Sequence, residues 1–261
     1  MKTVVLSDIH SNYTALKAVI SCEAPFDSII CVGDFIFGGT RPNEVVSTLK
    51  EFDGYFILGN HDIEMIHFHK GCQFWSDEYQ NWLEEIGLCG VFMTWLEWEH
   101  RKLSPESLDF LGSLPQTLSV QTQNLNIRLC HGHQWSVRLM PNASTVDFES
   151  VASLYEESII ISGHTHTQFR RSVDKKLFVN PGTVGGDYRL GHTNACYAVI
   201  LDGVLSLKHT PYDVHEFCLQ MTEVCLPNEY NSKVQEAYRK ATPWPGLEFL
   251  DYAYLLKLGV Y

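Results

Sequence analysis

The sequence predicts an α/β protein whose first third forms a parallel β-sheet. Three short, apolar segments rich in β-branched residues each end in a polar residue: KTVVLSD (2–8), SIICVGD (28–34) and GYFILGN (54–60). The segments between them, SNYTALKAVISC (11–22) and RPNEVVSTLKEF (41–52), space apolar residues at helical intervals. This alternation indicates a βαβαβ order. Ligands of such sheets bind at the carboxyl ends of the strands.

From about residue 63 to 111 the pattern changes to helical segments dense in aromatic residues. We expect this segment to be a helical insertion over the sheet. Four of its aromatic residues are tryptophans: Trp75, Trp82, Trp95 and Trp98. Packing in a core is the expected role of these tryptophans, with a stacking platform for a nucleobase or a dimer interface as alternatives.

The second half of the chain is richer in predicted strands. LNIRLCHGH (125–133), ESIIISGHTH (157–166) and KKLFVNPGTVGG (175–186) again place a polar loop after a strand. NACYAVILDGVLSLKHT (194–210) predicts a hairpin that turns at Asp202-Gly203. Residues 212–261 are expected to form accessory helices with an apolar end that packs back on the body. We therefore predict a single domain over residues 1–261.

Composition narrows the range of partners. With 261 residues, 45% of them hydrophobic and 19% charged, the chain is typical of a globular protein. It contains no apolar run of about eighteen residues, and MKTVVLSDIH reaches an acidic residue too early for a signal peptide. We expect a cytoplasmic protein without a membrane partner. The formal net charge of −12 disfavours extended nucleic acid as a partner, whereas bound cations would still permit a small anionic substrate.

Polar residues of a few types follow five of the predicted strands. They are Asp8, His10, Asp34, Asn60, His61, Asp62, His131, His133, His164 and His166. His164 and His166 lie one residue apart, so in an extended backbone their rings face the same side. Taken alone, such a pair is equally compatible with two solvated loop histidines. Because five strand ends would converge at one sheet edge, we expect the whole set to form one site.

These residue types suit metal-dependent hydrolysis. Carboxylate and imidazole groups bind hard or borderline divalent ions, and one aspartate can bridge two ions about 3.5 to 4 Å apart. Two ions so placed lower the pKa of a shared water and hold the oxygens of an in-line phosphoryl displacement. The set therefore predicts phosphoester hydrolysis.

Six segments resemble, in order, the motifs of the calcineurin-like metallophosphoesterase superfamily: SDIHSN, VGDFIFGG, LGNHD, LCHGH, SGHTH and NPGTVGG. They cover roughly residues 1–210 and are most similar to the small prokaryotic phosphoesterases with an NPG loop. The resemblance implies a four-layer αββα sandwich, with two mixed β-sheets flanked by helices. It also implies a phosphoesterase that acts on a phosphodiester, a nucleotide or a phosphomonoester.

The resemblance further implies two divalent ions and a set of seven ligands. Asp8, His10 and His166 bind one ion, Asn60, His131 and His164 bind the other, and Asp34 bridges them. Manganese is the expected metal, with iron, zinc, nickel and cobalt as alternatives. His61 matches the general acid of the family, which protonates the leaving oxygen while a hydroxide that bridges the metals attacks phosphorus. Asp62 either orients His61 or caps the next helix.

Three further residues are candidates for substrate binding. Asn12 is expected to donate to a phosphate oxygen and Arg189 to make a bidentate phosphate contact, with a solvated loop position as the alternative for each. His133 either supports a neighbouring ligand or lines the substrate cleft. His67 and His69 are expected to be structural, because no carboxylate accompanies them.

Two positions depart from the pattern of the superfamily. Its protein serine/threonine phosphatases continue the Gly-Asp motif with a further Asp and an Arg, where this sequence has Phe37 and Gly38. The acidic partner of the general acid and one phosphate-binding arginine are therefore missing. Ser11 stands where the family commonly has glycine, and we expect its backbone to need no positive φ.

Three classes of function follow. The leading prediction is a two-metal phosphoesterase acting on a small phosphorylated substrate such as a nucleotide. A dinucleoside polyphosphate hydrolase or a protein phosphatase with the same chemistry is the alternative. A catalytically silent scaffold, of the kind the superfamily contains in a trafficking subunit, is disfavoured by the intact ligand set. The substrate, the oligomeric state and the preference for monoesters or diesters stay open, because one fold hosts many substrates.

Overall fold

Two mixed five-stranded β-sheets form the centre of the structure, a computed structural model that describes residues 1–85, 87–187, 192–224, 226 and 228–241. The strands are β1 (Lys2–Leu6), β2 (Ser28–Val32), β3 (Gly54–Ile57), β4 (Thr117–Thr122), β5 (Leu125–Cys130), β6 (Ile159–Ile161), β7 (Phe169–Val173), β8 (Lys176–Asn180), β9 (Ala195–Leu201) and β10 (Val204–Thr210). The first sheet has the order β10-β9-β1-β2-β3 and the second the order β4-β5-β6-β8-β7.

The parallel strands determine where the polar loops meet. In the first sheet β1, β2 and β3 run parallel, as predicted. In the second, β5, β6 and β8 run parallel, while β4 and β7 pair antiparallel at the two edges. Five of these parallel strands, β1, β2, β3, β5 and β6, are the ones that the polar motifs follow.

The helices are α1 (Tyr13–Glu23), α2 (Pro42–Lys50), α3 (Asn60–His69), α4 (Asp77–Glu85), α5 (Cys89–Lys102), α6 (Pro105–Ser113), α7 (Thr145–Ala152), α8 (Val214–Met221) and α9 (Asn228–Lys240). Helix α1 begins after Asn12, whose side chain accepts from the backbone N–H of Ala15. Helix α2 begins with Pro42, which lacks the N–H that a first helical position leaves unpaired. The α/β class and the flanking helices are thus confirmed.

Apolar side chains from both sheets meet between them. Val5 and Ile30 of the first sheet belong to one buried cluster with Ile127, Ile161 and Val179 of the second. These strands also carry helices on their outer faces, so both of their faces are buried, which explains why they read as continuous apolar runs. The αββα layering implied by the resemblance is confirmed.

The aromatic insertion packs on the outer side of the first sheet. Its helices span Asn60–Ser113, slightly beyond the predicted range of 63–111. Trp75, Trp95 and Trp98 are buried in the same cluster as the core residues of β1 and β2. The expectation that these tryptophans fill a core is confirmed, and Trp82 packs against the cluster with partial exposure.

The C-terminal half completes both outer layers. Phe148 of α7 packs edge-on against Phe178 of the second sheet at 5.0 Å between ring centroids. The predicted hairpin is confirmed, because Leu201 pairs with Val204 across the Asp202-Gly203 turn. Helices α8 and α9 meet through Phe217 and other residues on the side of the first sheet. The predicted apolar end at residues 242–261 lies outside the described residues.

Within the described part of the chain, no helix combines the length and the apolar character needed to cross a membrane.

Truncation of a side chain between the sheets tests this core. Ile30 is fully buried in β2, an inner strand paired with β1 and β3. Ile30→Ala should lower the free energy of unfolding by about 2 to 5 kcal/mol, because the cavity cannot close between two sheets. The measurement is urea denaturation followed by circular dichroism. Leu154→Ala, at a 62% exposed side chain, serves as the control and should change stability by about 0.5 kcal/mol or less. Equal effects of the two substitutions would contradict the two-sheet core.

Candidate metal centre

The loops after the strands hold five of the seven predicted ligands in left-handed backbone. Their φ angles are 53° for Asp8, 52° for His10, 54° for Asp34, 65° for His164 and 57° for His166. Positive φ is uncommon for residues other than glycine, and such strain is found where tertiary contacts enforce it, often at functional sites. The compact turns aim several side chains at one point beyond the strand ends.

The expectation for Ser11 is wrong. Its φ is +53°, in the left-handed region that favours glycine. The Ser11 hydroxyl donates to the buried carboxylate of Glu99 on helix α5, a contact that holds the loop and offsets the local strain.

The first cluster of donors contains Asp8, His10 and His166. Nε2 of His10 lies 3.0 Å from Nε2 of His166. Oδ1 of Asp8 lies 3.4 Å from Nε2 of His166 and 3.9 Å from Nε2 of His10. The three ligand atoms therefore all face one another within the reach of a single cation.

The second cluster contains Asn60, His131 and His164. Oδ1 of Asn60 lies 2.9 Å from Nδ1 of His164. The rings of His131 and His164 are 5.3 Å apart between centroids. Asn60 is the first residue of α3, so the start of this helix, rather than an extended loop, carries the ligand.

Asp34 lies between the two clusters. Its Oδ2 is 3.1 Å from Nε2 of His131 and 4.0 Å from Nε2 of His10. That position matches a carboxylate shared by two sites. All seven predicted ligands are thus brought together, while the assignment of each to an ion stays a prediction.

Contacts behind the ligands fix the orientation of three rings. Nδ1 donates to the carbonyl of Phe37 at 2.7 Å in His10, to the carbonyl of Val32 at 2.7 Å in His131, and to the carboxylate of Asp187 at 2.9 Å in His166. With Nδ1 engaged, Nε2 of each ring faces the centre. Such contacts are typical of metal-binding histidines. Asp187 was not predicted from sequence; the only sequence signal for it is its place directly after NPGTVGG.

The charges at the centre favour a cation. Burial alone would raise the pKa values of Asp8 and Asp34, but the neighbouring histidines lower both, that of Asp34 well below its usual range. Burial lowers the pKa of His10 to about 4. Burial also disfavours the charged form of His131, yet Asp34 and Asp8 raise its pKa to about 9. A cation that takes such a ring nitrogen displaces its proton.

One buried nitrogen tests whether these residues fit a metal ion. Nε2 of His131 is fully buried and, among the described residues, makes no hydrogen bond of good geometry, although Oδ2 of Asp34 lies 3.1 Å away. A cation bound between this nitrogen and the buried Asp34 carboxylate would give both of them a partner. Carboxylate and imidazole donors at this spacing fit divalent metal ions.

Asp62 supports the backbone around Asp34. Its Oδ2 accepts from the N–H groups of Asp34 at 2.8 Å and Gly59 at 2.9 Å, and its Oδ1 from those of Phe35 at 3.0 Å and Ile36 at 3.3 Å. Of the two predicted readings, the structure places Asp62 in the capping position, with its carboxylate directed at backbone rather than at the His61 ring. A catalytic contact for Asp62 therefore has no counterpart in this geometry.

His61 lies beside the donor clusters. Its backbone N–H donates to Oδ1 of Asp34 at 3.0 Å. Its ring stacks on Phe37, with centroids 4.7 Å apart and planes inclined by 22°, and Nδ1 contacts Glu64 at 2.9 Å. Burial opposes its charged form, but Glu64 and Asp34 raise the pKa of His61 to about 10. Sequence reasoning missed Glu64, whose signal was its place three residues after His61 in a helical pattern.

The predicted substrate contacts are placed as follows. Asn12 is buried, accepts from Ala15 and donates to the carbonyl of Gly185 at 2.8 Å, so both of its polar atoms serve the backbone. This capping position argues against the predicted phosphate contact. His133 lies beside the second cluster, and burial lowers its pKa to about 4. Arg189 lies outside the described residues.

Helix α5 of the insertion contributes one more buried carboxylate. Glu99 is fully buried and accepts from the Ser11 hydroxyl and from the Phe37 N–H, the latter at 2.9 Å. In the part of the chain that the structure describes, its Oε2 has no hydrogen-bond partner. Glu99 therefore ties the loops after β1 and β2 to the insertion.

The fold and the donors define a class of protein: an αββα sandwich with a metal centre at its strand ends. A family model, the calcineurin-like phosphoesterase superfamily domain, matches residues 1–202. The chain belongs to this superfamily and is a metal-dependent phosphoesterase, a hydrolase of phosphoric ester bonds.

Proteins similar in sequence or in structure match most of the chain. An uncharacterized protein of Methanocaldococcus jannaschii is 26% identical over 247 residues, which cover 85% of this chain and 93% of that protein. A metallophosphoesterase from Sphaerobacter thermophilus has a crystal structure with a TM-score of 0.67 and 22% identity, covering 91% of this chain and 99% of the other. A hypothetical protein from Pyrococcus horikoshii gives a TM-score of 0.72 at 18% identity, covering 88% and 96%.

The buried carboxylate of Glu99 predicts a pH-dependent stability. Burial raises its pKa from 4.5 to about 7 in the folded protein. Between pH 4.5 and 7 the folded state therefore binds more protons than the unfolded state. The stability that the protonated Glu99 carboxyl contributes is complete below pH 4.5 and is lost as pH rises through 7. Relative to the native protein, Glu99→Gln should gain stability from pH 5 to pH 8, by about 3 kcal/mol at most.

Chemical denaturation at several pH values measures this difference. Glu97→Gln, on the same helix at a side chain that is 51% exposed, is the matched control and should show no such trend. A stability difference for Glu99→Gln that is constant with pH would contradict a raised pKa for Glu99.

Proposed function

We propose that this protein is a two-metal phosphoesterase that hydrolyses a small phosphorylated substrate, namely a phosphodiester, a nucleotide or a phosphomonoester. The observation that carries the proposal is the position of Asp34, 3.1 Å from a nitrogen of the second cluster and 4.0 Å from one of the first. A carboxylate so placed would be shared by two ions, one at each cluster. A cytoplasmic location belongs to the same proposal.

In this proposal the seven donors divide between two sites. The first site consists of Asp8, His10 and His166, the second of Asn60, His131 and His164, and Asp34 belongs to both. These residues would hold two divalent ions, which would supply an activated water and stabilise the charge of the phosphoryl group. Manganese is the expected metal, and iron, zinc, nickel and cobalt are alternatives, because nitrogen and oxygen donors of this kind accept all five.

The chain's own contribution to bond cleavage comes from His61. A ring nitrogen of His61 lies within 4.8 Å of donor atoms of His10 and Asp34, so the ring borders the phosphoryl site. As the P–O bond to the leaving group breaks, the departing oxygen gains negative charge, and a proton from His61 neutralises it. The stacked ring of Phe37 shields one face of the imidazole from water.

Activity on model substrates tests the proposal. Protein loaded with manganese should hydrolyse bis(p-nitrophenyl) phosphate or p-nitrophenyl phosphate, and release of p-nitrophenol is followed by absorbance. Asp34→Asn should lose more than about 100-fold in kcat, since loss of a shared ligand exceeds the 10- to 100-fold effects typical of residues behind the ligands. Turnover of the diester supports a phosphodiesterase, and preference for the monoester supports a phosphatase.

Asp202→Asn is the control for the Asp34 variant. Asp202 lies in the exposed turn between β9 and β10, so the same chemical change should leave turnover unaltered. Metal content, measured by mass spectrometry, is determined for each preparation. Full activity of Asp34→Asn, or no turnover by metal-loaded native protein on either substrate, would count against the proposal.

Removal of the metals should abolish activity and leave the protein folded. The donors lie on loops beyond the strand ends, whereas the apolar clusters that hold the sheets together contain none of the seven ligands. After treatment with EDTA, we expect unchanged far-ultraviolet circular dichroism and recovery of activity on addition of manganese. Unfolding upon chelation would show that the metals are required for the fold, in conflict with this expectation.

A further inference from the structure

Glu64 occupies the position from which a carboxylate can hold the imidazole of His61. It lies three residues after His61 on α3, a spacing that places two side chains on the same face of a helix. Its Oε2 accepts from Nδ1 of His61 at 2.9 Å, and the two side chains are only 16% and 20% exposed. The contact is therefore short and largely shielded from solvent.

Two further contacts fix the carboxylate of Glu64. The amide of Asn60 donates to Oε1 at 3.4 Å. The indole N–H of Trp75 donates to Oε2, also at 3.4 Å. Trp75 is buried in the insertion, so the carboxylate is held from two directions and cannot swing freely away from His61.

The imidazole of His61 is thereby held on two sides. Phe37 covers one face of the ring, and Nδ1 is engaged by Glu64. The remaining nitrogen, Nε2, is left for the phosphoryl site. A carboxylate in this arrangement holds an imidazole in one orientation and keeps its other nitrogen ready to donate a proton.

We infer that Glu64 is the positioning residue of His61 and supplies the carboxylate that is absent at Phe37, with Trp75 holding Glu64 in place. This inference rests on the proposed function, because it assigns to His61 the transfer of a proton to the leaving oxygen. In this role Glu64 acts on the His61 ring, which it contacts through Nδ1, rather than on the reacting atoms. Its effect on turnover should therefore be transmitted through His61, and metal content must be checked because Asn60, a predicted ligand, also contacts Glu64.

The dependence on leaving group tests the inference. A poor leaving group needs the proton more than a good one, because more charge collects on its oxygen. In manganese-loaded protein, Glu64→Gln should lower kcat for phenyl esters by about 10- to 100-fold. We expect kcat for the corresponding p-nitrophenyl esters to fall by less than about 3-fold, with KM unchanged in both cases. Trp75→Phe should also lower kcat for phenyl esters more than kcat for p-nitrophenyl esters, but by a smaller factor than Glu64→Gln.

A double-mutant cycle separates positioning from a general structural effect. If Glu64 acts through His61, adding Glu64→Gln to His61→Gln should cause no further loss of kcat. Glu97→Gln, at an exposed position on α5, is the matched control and should equal the native protein. Additive losses, equal losses on good and poor leaving groups, or loss of bound metal in Glu64→Gln would each overturn the inference.

Nuclear magnetic resonance gives a readout that needs no turnover. In zinc-loaded protein, long-range proton–nitrogen spectra, assigned with His61→Gln, should show a proton on Nδ1 of His61 in a strong hydrogen bond. This signal should be lost or strongly shifted in Glu64→Gln and retained in Glu97→Gln. If native protein hydrolyses no ester, the proposed function fails, and the spectrum alone decides whether Glu64 holds the ring. An unchanged spectrum in Glu64→Gln would overturn the inference.

Discussion

Two buried carboxylates, Asp8 and Asp34, set the constraint on which the rest of the centre depends. An ionised carboxylate removed from water is strongly destabilising unless positive or hydrogen-bonding groups surround it. Here burial would raise both pKa values, yet the neighbouring histidines hold them below their usual range. Those histidines come from strand ends of both sheets, so the two sheets must keep a fixed relation at this edge. The same concentration of negative charge attracts divalent cations.

Strained loops place these groups, and distant side chains hold the loops. A residue other than glycine in left-handed backbone costs of the order of 1 to 3 kcal/mol, so it persists only where its surroundings determine it. Asp62 satisfies four backbone N–H groups around Asp34. Glu99 connects the Ser11 loop to the Phe37 loop from helix α5. The insertion is therefore a support of the metal centre as well as a cover over the sheet.

Phe37, a position that departs from the pattern of the superfamily, takes part in several contacts of the site. Its carbonyl accepts from His10, its N–H donates to Glu99, and its ring stacks on His61. The backbone of Phe37 thus supports a predicted ligand, while its side chain fills the space beside the imidazole. The carboxylate comes instead from Glu64, on the helix that carries His61.

The sequence by itself determined the class of fold and the polar residues at the strand ends, because apolar runs followed by polar residues are local patterns and parallel strands bring their carboxyl ends together. The choice of seven ligands among those polar residues came from the resemblance to the superfamily. Only the tertiary structure decided which side chains support them. Glu99 lies 88 residues from Ser11 and Asp187 lies 21 residues from His166, and no local spacing relates such pairs. The positive φ of Ser11 follows from its distant contact rather than from its own preference. Likewise, Asp62 supports the loop around Asp34 because folding places four backbone N–H groups within hydrogen-bonding distance of its carboxylate.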